Sequence, residues 1–276
     1  MRVGLLQMTA SDDPVANTEQ ALSLLEDAVA KGAEFVLTPE VTNCLSTSRT
    51  HQREVLRPEA RDPTLAAMRG AARSHGIWLL IGSLALRTAD PQGRFANRSV
   101  LLDAGGKIAA RYDKIHMFDV TVSETETYRE SAGFRPGTRA TLAATPWGGL
   151  GMTICYDLRF PELFRRLGRA GAAMISVPSA FSTVTGVAHW ETLVRARAIE
   201  TGAFVLAPAQ TGFHPATRGT SRATHGHSLV VAPWGEVLLD AGFAPGAYVA
   251  DLDLDQVQAA RAKIPAWGVT PGWEGP

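Results

Sequence analysis

The sequence has little cysteine, no excess of charge and no long apolar run, and each shortage narrows the class of protein. Only two of its 276 residues are cysteine, too few for a disulfide framework in a chain of this length. A reducing cytoplasm is the expected location, and a bridge between Cys44 and Cys155 is not expected. No apolar stretch reaches the ~20 residues of a membrane span, and the N-terminal apolar run is too short for a signal peptide.

The net charge of the sequence does not indicate a polyanionic partner. Lys and Arg together number 27, and so do Asp and Glu. A chain with this balance lacks the basic excess that nucleic acid or an anionic membrane surface attracts. The sequence therefore predicts a small-molecule partner, with no nucleic acid and no membrane.

Signatures of nucleotide and metal sites are also missing. "GGLG" at 148–151 precedes a predicted strand, whereas a dinucleotide fingerprint follows a strand and opens a helix, and no phosphate loop is present. His225 and His227 stand two apart in "THGHS", without a cysteine or carboxylate at ligand spacing. The sequence predicts no metal and no cofactor.

What is present is an alternation of apolar strands with helices. "RVGLLQM", "EFVLTPE" and "IWLLIGSLAL" have the composition of buried strands, and helices that begin at Pro14 and Pro63 separate them. Asp12 or Asp13 can cap the first of these helices. In the second half, "LGMTI", "AAMISVP" and "AFVLAPA" are predicted strands, with helices across "PELFRRLGRAG" and "AHWETLVRARAIETG" between them.

Two similar hairpins indicate two similar halves. "SVLLDAGGKI" turns at its paired glycines, and "SLVVAPWGEVLL" turns at Trp234 and Gly235. The strands are too many for one parallel sheet, so an α/β fold with two sheets packed face to face and helices outside meets the burial needs of both. We expect one domain over residues 1–265 and a flexible tail over 266–276.

Three reactive side chains follow strands. Glu40 ends "FVLTP", Lys114 closes "IAARYD" and Cys155 ends "LGMTI". Ligands in α/β sheets bind outside the carboxyl ends of strands, so these three groups are expected to converge. Each residue alone is more often a solvated surface group or a buried apolar thiol, but together they make a complete catalytic unit.

The unit suits acyl transfer. A thiol becomes a good nucleophile when a base takes its proton or a cation lowers its pKa. Glu40 can do the first and Lys114 the second, and Lys114 can also stabilise the oxyanion of a tetrahedral intermediate. A Cys–His pair stays open as an alternative, since His116, His189, His225 and His227 lie in motif-like surroundings. However, the glycines of a tight nucleophile elbow are absent from "TICYD".

The motifs around these residues resemble those of the nitrilase superfamily of carbon–nitrogen hydrolases. "TPE" with Glu40, "RYDKIHMFD" with Lys114 and "CYDLRFPEL" with Cys155 are similar to its three signatures, in the same order. The similarity continues through "GHSLVVAPWGEVL" and covers about residues 1 to 265. It implies a four-layer αββα sandwich, a Glu–Lys–Cys triad, and assembly into a homodimer or a larger homo-oligomer.

The resemblance also implies further site residues. It makes Glu130 a second glutamate that positions substrate and Lys114, and the backbone N–H of Tyr156 an oxyanion donor. It points to Arg159 and Ser179 as substrate-binding residues, with Arg159 holding a carboxylate.

The resemblance further implies the type of substrate. Cys155-Tyr156-Asp157 differs from the Cys-Trp-Glu of nitrile-cleaving members, so an amide is expected. The implied amide is small and carries a carboxylate, with deaminated glutathione first and 2-oxoglutaramate or an N-carbamoyl amino acid as alternatives. A catalytically silent binding member is a remote alternative, because Glu40 and its partners are intact.

Overall fold

The structure is a computed structural model, and it describes residues 1–122, 127–269 and 272. The helices are α1 (Pro14–Ala30), α2 (Arg49–Val55), α3 (Pro63–His75), α4 (Pro161–Arg169), α5 (Thr183–Thr201) and α6 (Asp255–Lys263). The strands are β1 (Arg2–Gln7), β2 (Phe35–Leu37), β3 (Trp78–Leu86), β4 (Ala96–Leu102), β5 (Ile108–Asp113), β6 (Asp119–Thr121), β7 (Thr127–Arg129), β8 (Thr141–Thr145), β9 (Gly148–Met152), β10 (Ala172–Ser176), β11 (Phe204–Ala207), β12 (Thr211–His214), β13 (Arg222–His225), β14 (Leu229–Val231), β15 (Val237–Asp240) and β16 (Gly246–Asp251). Among these described residues, none of the helices combines the length and apolar character that a bilayer crossing requires.

Two six-stranded sheets have the same plan. In the first, β1, β2 and β3 are parallel, the hairpin β4–β5 extends the sheet beyond β3, and β16 pairs antiparallel with β1. In the second, β9, β10 and β11 are parallel, the hairpin β14–β15 lies beyond β11, and β8 pairs antiparallel with β9. The two hairpins noticed in the sequence therefore occupy equivalent places in two similar halves.

The sheets pack face to face with helices on the outside. Val3 and Leu5 of β1 belong to the same buried cluster as Met152 of β9, so these faces meet between the sheets. Leu6, on the opposite face of β1, packs with Leu25 of α1. Because both faces of the central strands are covered, those strands are apolar almost throughout. The predicted four-layer αββα sandwich is confirmed.

Helix α1 begins where the sequence predicted. Asp13 is its N-cap, with Oδ1 accepting from the N–H of Val15 at 2.9 Å, and Pro14 takes the first position. Asp12 instead accepts from the N–H and the hydroxyl of Thr217, at 2.8 Å each. The neighbouring carboxylates therefore have different structural tasks.

Helix α5 begins earlier than the sequence predicted. The pattern "AHWETLVRARAIETG" starts at Ala188, but the helix starts at Thr183. Thr, Val and Gly are weak helix formers, which is why the first turn was missed. Ser182, just before the helix, forms a β-bridge with Thr224 of β13, and this pairing fixes where the helix starts. The N-terminus of α5 consequently lies beside the pocket described below.

The chain packs past the predicted domain end at residue 265. Residues Pro265–Gly268 form a short 3-10 helix, and the guanidinium of Arg261 lies 4.5 Å from the ring centre of Trp267. The first residues of the predicted tail thus contact helix α6 through Trp267. The remainder of that tail, at 270–271 and 273–276, lies outside the described residues.

Candidate active site

The three strand ends singled out from the sequence meet at one pocket of about 300 Å³. Glu40 and Cys155 each lie three residues past the last residue of a parallel strand, β2 and β9, and Lys114 directly follows β5. Their exposed fractions are only 5%, 8% and 2%, respectively. The site is a buried polar cluster where the two sheets end together.

Lys114 is the centre of this cluster. Its Nζ donates to Oε1 of Glu40 at 2.9 Å and to both carboxylate oxygens of Glu130, at 3.0 and 2.9 Å. Burial would by itself lower the pKa of Lys114, but Glu130, Glu40 and Cys155 together raise it well above its ordinary value. Lys114 therefore remains a cation throughout the neutral range.

Glu40 has donors on both oxygens. Besides Lys114, the side-chain amide of Asn97 donates to Oε1, and the N–H of Ala180 donates to Oε2, each at 2.9 Å. Burial would by itself raise the pKa of Glu40, but the charge of Lys114 and hydrogen bonds from Lys114, Cys155 and Asn97 outweigh it and lower the pKa. Glu40 is thus an ionised carboxylate in contact with the thiol, as a general base must be.

Glu130 lies on the far side of the lysine. Its Oε2 accepts from the N–H of Phe118 at 2.7 Å, and the side-chain amide of Asn97 lies 3.4 Å from Oε1. Asn97 therefore contacts both glutamates. Nothing in "FANRS" marked Asn97 as a site residue, because its role arises only from where β4 passes.

Cys155 sits at a tight turn. Its φ is +49°, in the left-handed region that favours glycine, and it opens a 3-10 helix over Cys155–Arg159. Its N–H donates to the carbonyl of Pro178 at 3.0 Å. The turn is tight although flanking glycines are absent, because surrounding hydrogen bonds hold a non-glycine residue in this conformation at a cost of about 1–3 kcal/mol.

The charges decide how the thiol can be activated. Burial raises the pKa of Cys155, the charge of Glu40 raises it further, and Lys114 only partly counteracts them. The resting thiol is therefore neutral and hydrogen-bonded to Glu40. Of the two activation routes that the sequence offered, removal of the proton by Glu40 fits this geometry, and a resting thiolate stabilised by Lys114 does not.

Tyr156, which follows the nucleophile in this turn, lines the pocket. The N–H of Asp157 donates to the carbonyl of Ile154 at 3.1 Å, whereas the N–H of Tyr156 has no acceptor among the described residues. The ring of Tyr156 meets those of Phe118 and Phe160 edge-on, at 4.9 and 5.3 Å between ring centres. The peptide group next to the thiol is thus fixed and free to donate.

A buried carboxylate ties this turn to the lysine segment. Asp157 is fully buried and accepts from the hydroxyl of Tyr112 at 2.7 Å and the N–H of Ile154 at 2.9 Å. Its other oxygen accepts from the N–H of His116 at 3.1 Å and lies 2.6 Å from Nδ1 of that ring. Since Tyr112 and His116 flank Lys114 at two residues on either side, Asp157 fixes the nucleophile relative to the lysine. This gives His116 a structural task that the sequence left open.

Two predicted substrate-binding residues do not line the pocket. Ser179 is fully buried, and its hydroxyl donates to the carbonyl of Val177 at 3.0 Å. The guanidinium of Arg159 lies over the ring of Phe181, 5.6 Å from its centre, and one of its nitrogens is 3.3 Å from Nδ1 of His189. Both predictions came from the resemblance to the family, which does not give the direction of the side chains in this chain.

Other arginines line the pocket instead. Arg49, Arg129 and Arg222 all face it, and none forms an ion pair with a carboxylate of the described residues. In the described part of the lining, Glu40 and Glu130 are the carboxylates, so cations outnumber them. Such a pocket favours an anionic substrate.

Histidine is not the partner of the thiol here. Within residues 1–122, 127–269 and 272, no histidine lines the pocket. His225 and His227 stack at 4.8 Å between ring centres elsewhere, and Nδ1 of His227 lies 2.9 Å from Asp240. The part of the chain that is described also contains no group of three or more metal-ligating side chains suited to an ion. Both cysteines are free thiols.

Comparison with known proteins agrees with this arrangement. Residues 2–262 match the model of the carbon-nitrogen hydrolase family. A deaminated glutathione amidase of Yersinia enterocolitica is 39% identical over 267 residues, which are 95% of this chain and 90% of the relative.

Two solved structures are also similar. The NitFhit protein of Caenorhabditis elegans has a TM-score of 0.88 at 36% identity, and the match covers 96% of this chain and 64% of that protein. A variant of the amidase from Nesterenkonia sp. AN1, with acrylamide joined to its active-site cysteine by Michael addition, has a TM-score of 0.77 at 28% identity. That match covers 96% of this chain and 98% of that one. The chain belongs to the carbon–nitrogen hydrolase family, and it is an enzyme of the amidase type.

Proposed function

We propose that the chain hydrolyses the amide bond of a small substrate that carries carboxylate groups, with deaminated glutathione as the substrate. One observation carries the amidase chemistry: a buried thiol hydrogen-bonds an ionised Glu40, and Lys114 contacts both Glu40 and Glu130 beside it. This set contains a nucleophile, a base and a cation for the developing oxyanion. The name of the Yersinia relative supports the choice of substrate.

In the first half-reaction, Sγ of Cys155 attacks the amide carbonyl carbon while its proton passes to Glu40. Lys114 and the N–H of Tyr156 donate to the oxygen that becomes negative, and one such donor typically contributes on the order of 100-fold in rate. When Glu40 takes the proton, Glu130 remains as a negative partner of Lys114, so the buried ammonium stays paired. This is the task that we assign to Glu130.

Collapse of the tetrahedral intermediate breaks the carbon–nitrogen bond. Glu40 returns its proton to the departing nitrogen, and the acyl group stays on Cys155 as a thioester. Water then enters, loses a proton to Glu40 and attacks the thioester carbonyl, with the same two donors on the oxyanion. The carboxylic acid leaves, the proton returns to Cys155, and the net reaction is amide plus water to acid plus amine.

Charge supports a substrate with carboxylates. The described lining has four cationic side chains against two carboxylates, and three of the cations are arginines without an ion-pair partner in the described residues. A neutral amide would form no ion pair with these arginines, whereas an amide that carries a carboxylate would pair with them. Deaminated glutathione, an amide of a five-carbon 2-oxo acid, belongs to the second kind.

The test is turnover by the purified protein of deaminated glutathione, 2-oxoglutaramate and N-carbamoyl-β-alanine, each with Cys155→Ala as the control. The expected result is the highest kcat/KM for deaminated glutathione, with all turnover lost in Cys155→Ala. Preference for 2-oxoglutaramate would move the assignment to an omega-amidase, and preference for the carbamoyl compound would make the enzyme a carbamoylase. Absence of turnover on all three would contradict the proposed substrate class.

We also propose that the chain forms a homodimer or a larger homo-oligomer and acts in the cytoplasm. Exposed apolar side chains support assembly, among them Val184 and Val187 on α5 and the nearby Phe243, which are 52%, 82% and 69% exposed. The two free thiols are compatible with a reducing compartment. Light scattering at micromolar concentration would contradict the assembly by giving the mass of one chain.

A further inference from the structure

Arg222 lines the pocket, and no carboxylate of the described residues forms an ion pair with it. Its Nη2 donates to the carbonyl of Ala180 at 2.7 Å, and its guanidinium lies 5.3 Å from the ring centre of Tyr128. Its Nε is buried and has no hydrogen-bond partner among the described residues. A buried charged donor left unpaired is costly, so this group is suited to an acceptor that arrives with a ligand.

A second unpaired donor lines the same pocket. Ser182 is 1% exposed, and its buried hydroxyl has no partner in the part of the chain that the structure describes. Ser182 nevertheless occupies the N-cap of α5, where the serine side chain usually bonds the backbone. The first-turn N–H groups of α5 have no intrahelical acceptors, and the positive end of the helix dipole is at this end. Thr185 in that first turn also lines the pocket. The hydroxyl and the helix end therefore favour an anion at the same wall.

The backbone brings these two donors together. The segment before α5 runs beside β13: Ser182 pairs with Thr224, and the N–H of His225 donates to the carbonyl of Phe181 at 3.0 Å. Arg222, at the start of β13, and Ser182 thus come from neighbouring antiparallel segments. Backbone pairing therefore holds Arg222 and Ser182 close together before any substrate binds.

Ala180 fixes the distance from this donor pair to the chemistry. Its N–H donates to Glu40 and contacts the Cys155 thiol, while its carbonyl accepts from Arg222. Within one residue the nitrogen and oxygen are at most about 3.6 Å apart. With contacts of 2.9 and 2.7 Å on the two sides, Nη2 of Arg222 lies no more than about 9 Å from Oε2 of Glu40. A short acyl chain can span this separation.

We infer that Arg222 and Ser182, at the N-terminus of α5, form the subsite that binds a carboxylate on the acyl portion of the substrate, a few bonds from the scissile carbonyl. This deepens the proposed function and rests on it, because it names the acyl group as that of a short dicarboxylic acid. It gives Arg222 the task that the sequence assigned to Arg159. The exposed Arg49 and Arg129 remain available at the outer pocket for a charge on the amine portion.

The test measures binding without turnover, by calorimetry in a Cys155→Ala background with 2-oxoglutarate as the charged probe and butyramide as the neutral one. Arg222→Gln is expected to weaken 2-oxoglutarate binding roughly 10- to 100-fold, as for loss of a charged hydrogen bond, and to change butyramide binding less than twofold. Arg222→Lys keeps the charge but lacks the Nε donor, and should recover part of the loss. Ser182→Ala is expected to weaken 2-oxoglutarate binding about 3- to 10-fold.

Two further arginine variants make the result specific. Arg166 is 72% exposed on α4, away from the pocket lining, so Arg166→Gln is the matched control and should bind both probes normally. Arg159→Gln tests the rival position. The inference is overturned if Arg222→Gln weakens both probes equally, if 2-oxoglutarate fails to bind the parent at millimolar concentration, or if Arg159→Gln alone causes the loss.

Failure of the subsite and failure of the proposed function give different results. The binding experiment contains no Cys155 nucleophile, so it does not depend on which amide is cleaved. A wild-type enzyme that cleaves none of the three amides, with the Arg222 effect on binding intact, would contradict the function alone. Normal turnover of deaminated glutathione with unchanged KM in Arg222→Gln would contradict the subsite alone.

Discussion

The two halves of the molecule deliver their reactive groups in the same way and hold them differently. Glu40 and Cys155 each lie three residues past a parallel strand, and each strand end contains a non-glycine residue at φ +49°, Val41 and Cys155 itself. The carboxylate is held by direct hydrogen bonds on both oxygens. The thiol is held mainly through its backbone, by a strained turn that Asp157 secures.

The difference follows from charge. A buried carboxylate must be paired and hydrogen-bonded, or it would take up a proton and cease to be a base. A buried neutral thiol has no such need, because it carries no charge that must be paired. Its direction can therefore be set by the backbone, with strain of about 1–3 kcal/mol offset by the bonds to Asp157. The same strand-end position thus holds a charged carboxylate, Glu40, in one half. In the other half it sets the direction of the Cys155 thiol.

Replacing the fixed charge is expected to have the largest effect. Glu40→Gln keeps the shape of the side chain but cannot accept the thiol proton, so kcat should fall roughly 10²- to 10⁴-fold. Mass spectrometry should find no thioester on Cys155 after mixing with substrate. Glu26→Gln, at an exposed position on α1, is the matched control. A thioester that accumulates in Glu40→Gln would show that another group takes the first proton.

Removing the positive charge of Lys114 should have the next largest effect. Lys114→Met deletes an oxyanion donor and is expected to lower kcat roughly 10²- to 10³-fold. It also leaves Glu40 and Glu130 without their cation, which should lower the free energy of unfolding by about 3–5 kcal/mol. Denaturant unfolding and steady-state hydrolysis measure the two losses separately.

The Cys–His alternative predicts the opposite result for the same residues. It expects near-normal turnover in Lys114→Met and loss of acylation when one histidine is replaced. His189→Gln and His225→Gln are suitable variants. Neither histidine lines the pocket, so the substitutions leave the residues of the lining unchanged. Loss of activity in either, with Lys114→Met active, would revive that alternative.

Weakening the support of the turn should have a smaller effect. The two carboxylate oxygens of Asp157 accept hydrogen bonds from Tyr112, Ile154 and His116. Asp157→Asn keeps only one of these oxygens as an acceptor, so at least one of the donors loses its hydrogen bond. We expect the free energy of unfolding to fall by about 1–3 kcal/mol. We expect kcat to fall about tenfold with little change in KM, since misplacement of the thiol affects chemistry more than binding. Asp27→Asn, exposed on α1, is the control, and an unchanged kcat with only lower stability would remove Asp157 from the positioning of Cys155.

The smallest expected effect concerns pH. The pKa of Glu40 is lowered, so both its activity as a base and its contribution to stability are present above the ordinary glutamate range. Both are lost only as the pH falls through the lower pKa of the folded protein. Because the pKa of Cys155 is raised, kcat should show no change between pH 7 and pH 9 from ionisation of the thiol. A rise in kcat over that range would indicate a thiolate mechanism.

The two cysteines provide an internal comparison for the same question. Burial, with Asp12 and Asp13, raises the pKa of Cys44 to about 12, so its labelling by iodoacetamide should rise about tenfold per pH unit below that value. Cys155 has Glu40 as its base, so its labelling should be faster and nearly flat around neutral pH. Peptide mass spectrometry resolves the two sites, and Glu40→Gln should remove the flat component. Equal and parallel labelling would instead support a catalytically silent chain.

The sequence predicted the strand ends well because their signal is local. Buried parallel strands are apolar on both faces, so the polar residues that follow them, Glu40 and Cys155, stand out. The glycine-free turn at Cys155 was not predictable in this way, because its φ is imposed by bonds to Pro178 and Asp157. Asn97 was missed for a similar reason: its amide lies on an ordinary strand, and only the packing of the two sheets brings it to Glu40.

The sequence by itself determined the alternating pattern, the two similar halves, the family motifs and the three reactive groups, since each depends on residue type and short-range spacing. Only the tertiary structure shows that burial and Glu40 raise the pKa of the Cys155 thiol more than Lys114 lowers it, because that balance depends on atomic distances. It also decided that Arg222 lines the pocket and Arg159 does not. Arg159 is four residues from the nucleophile and Arg222 is sixty-seven, but pairing of β13 with the segment before α5 brings the distant one to the site.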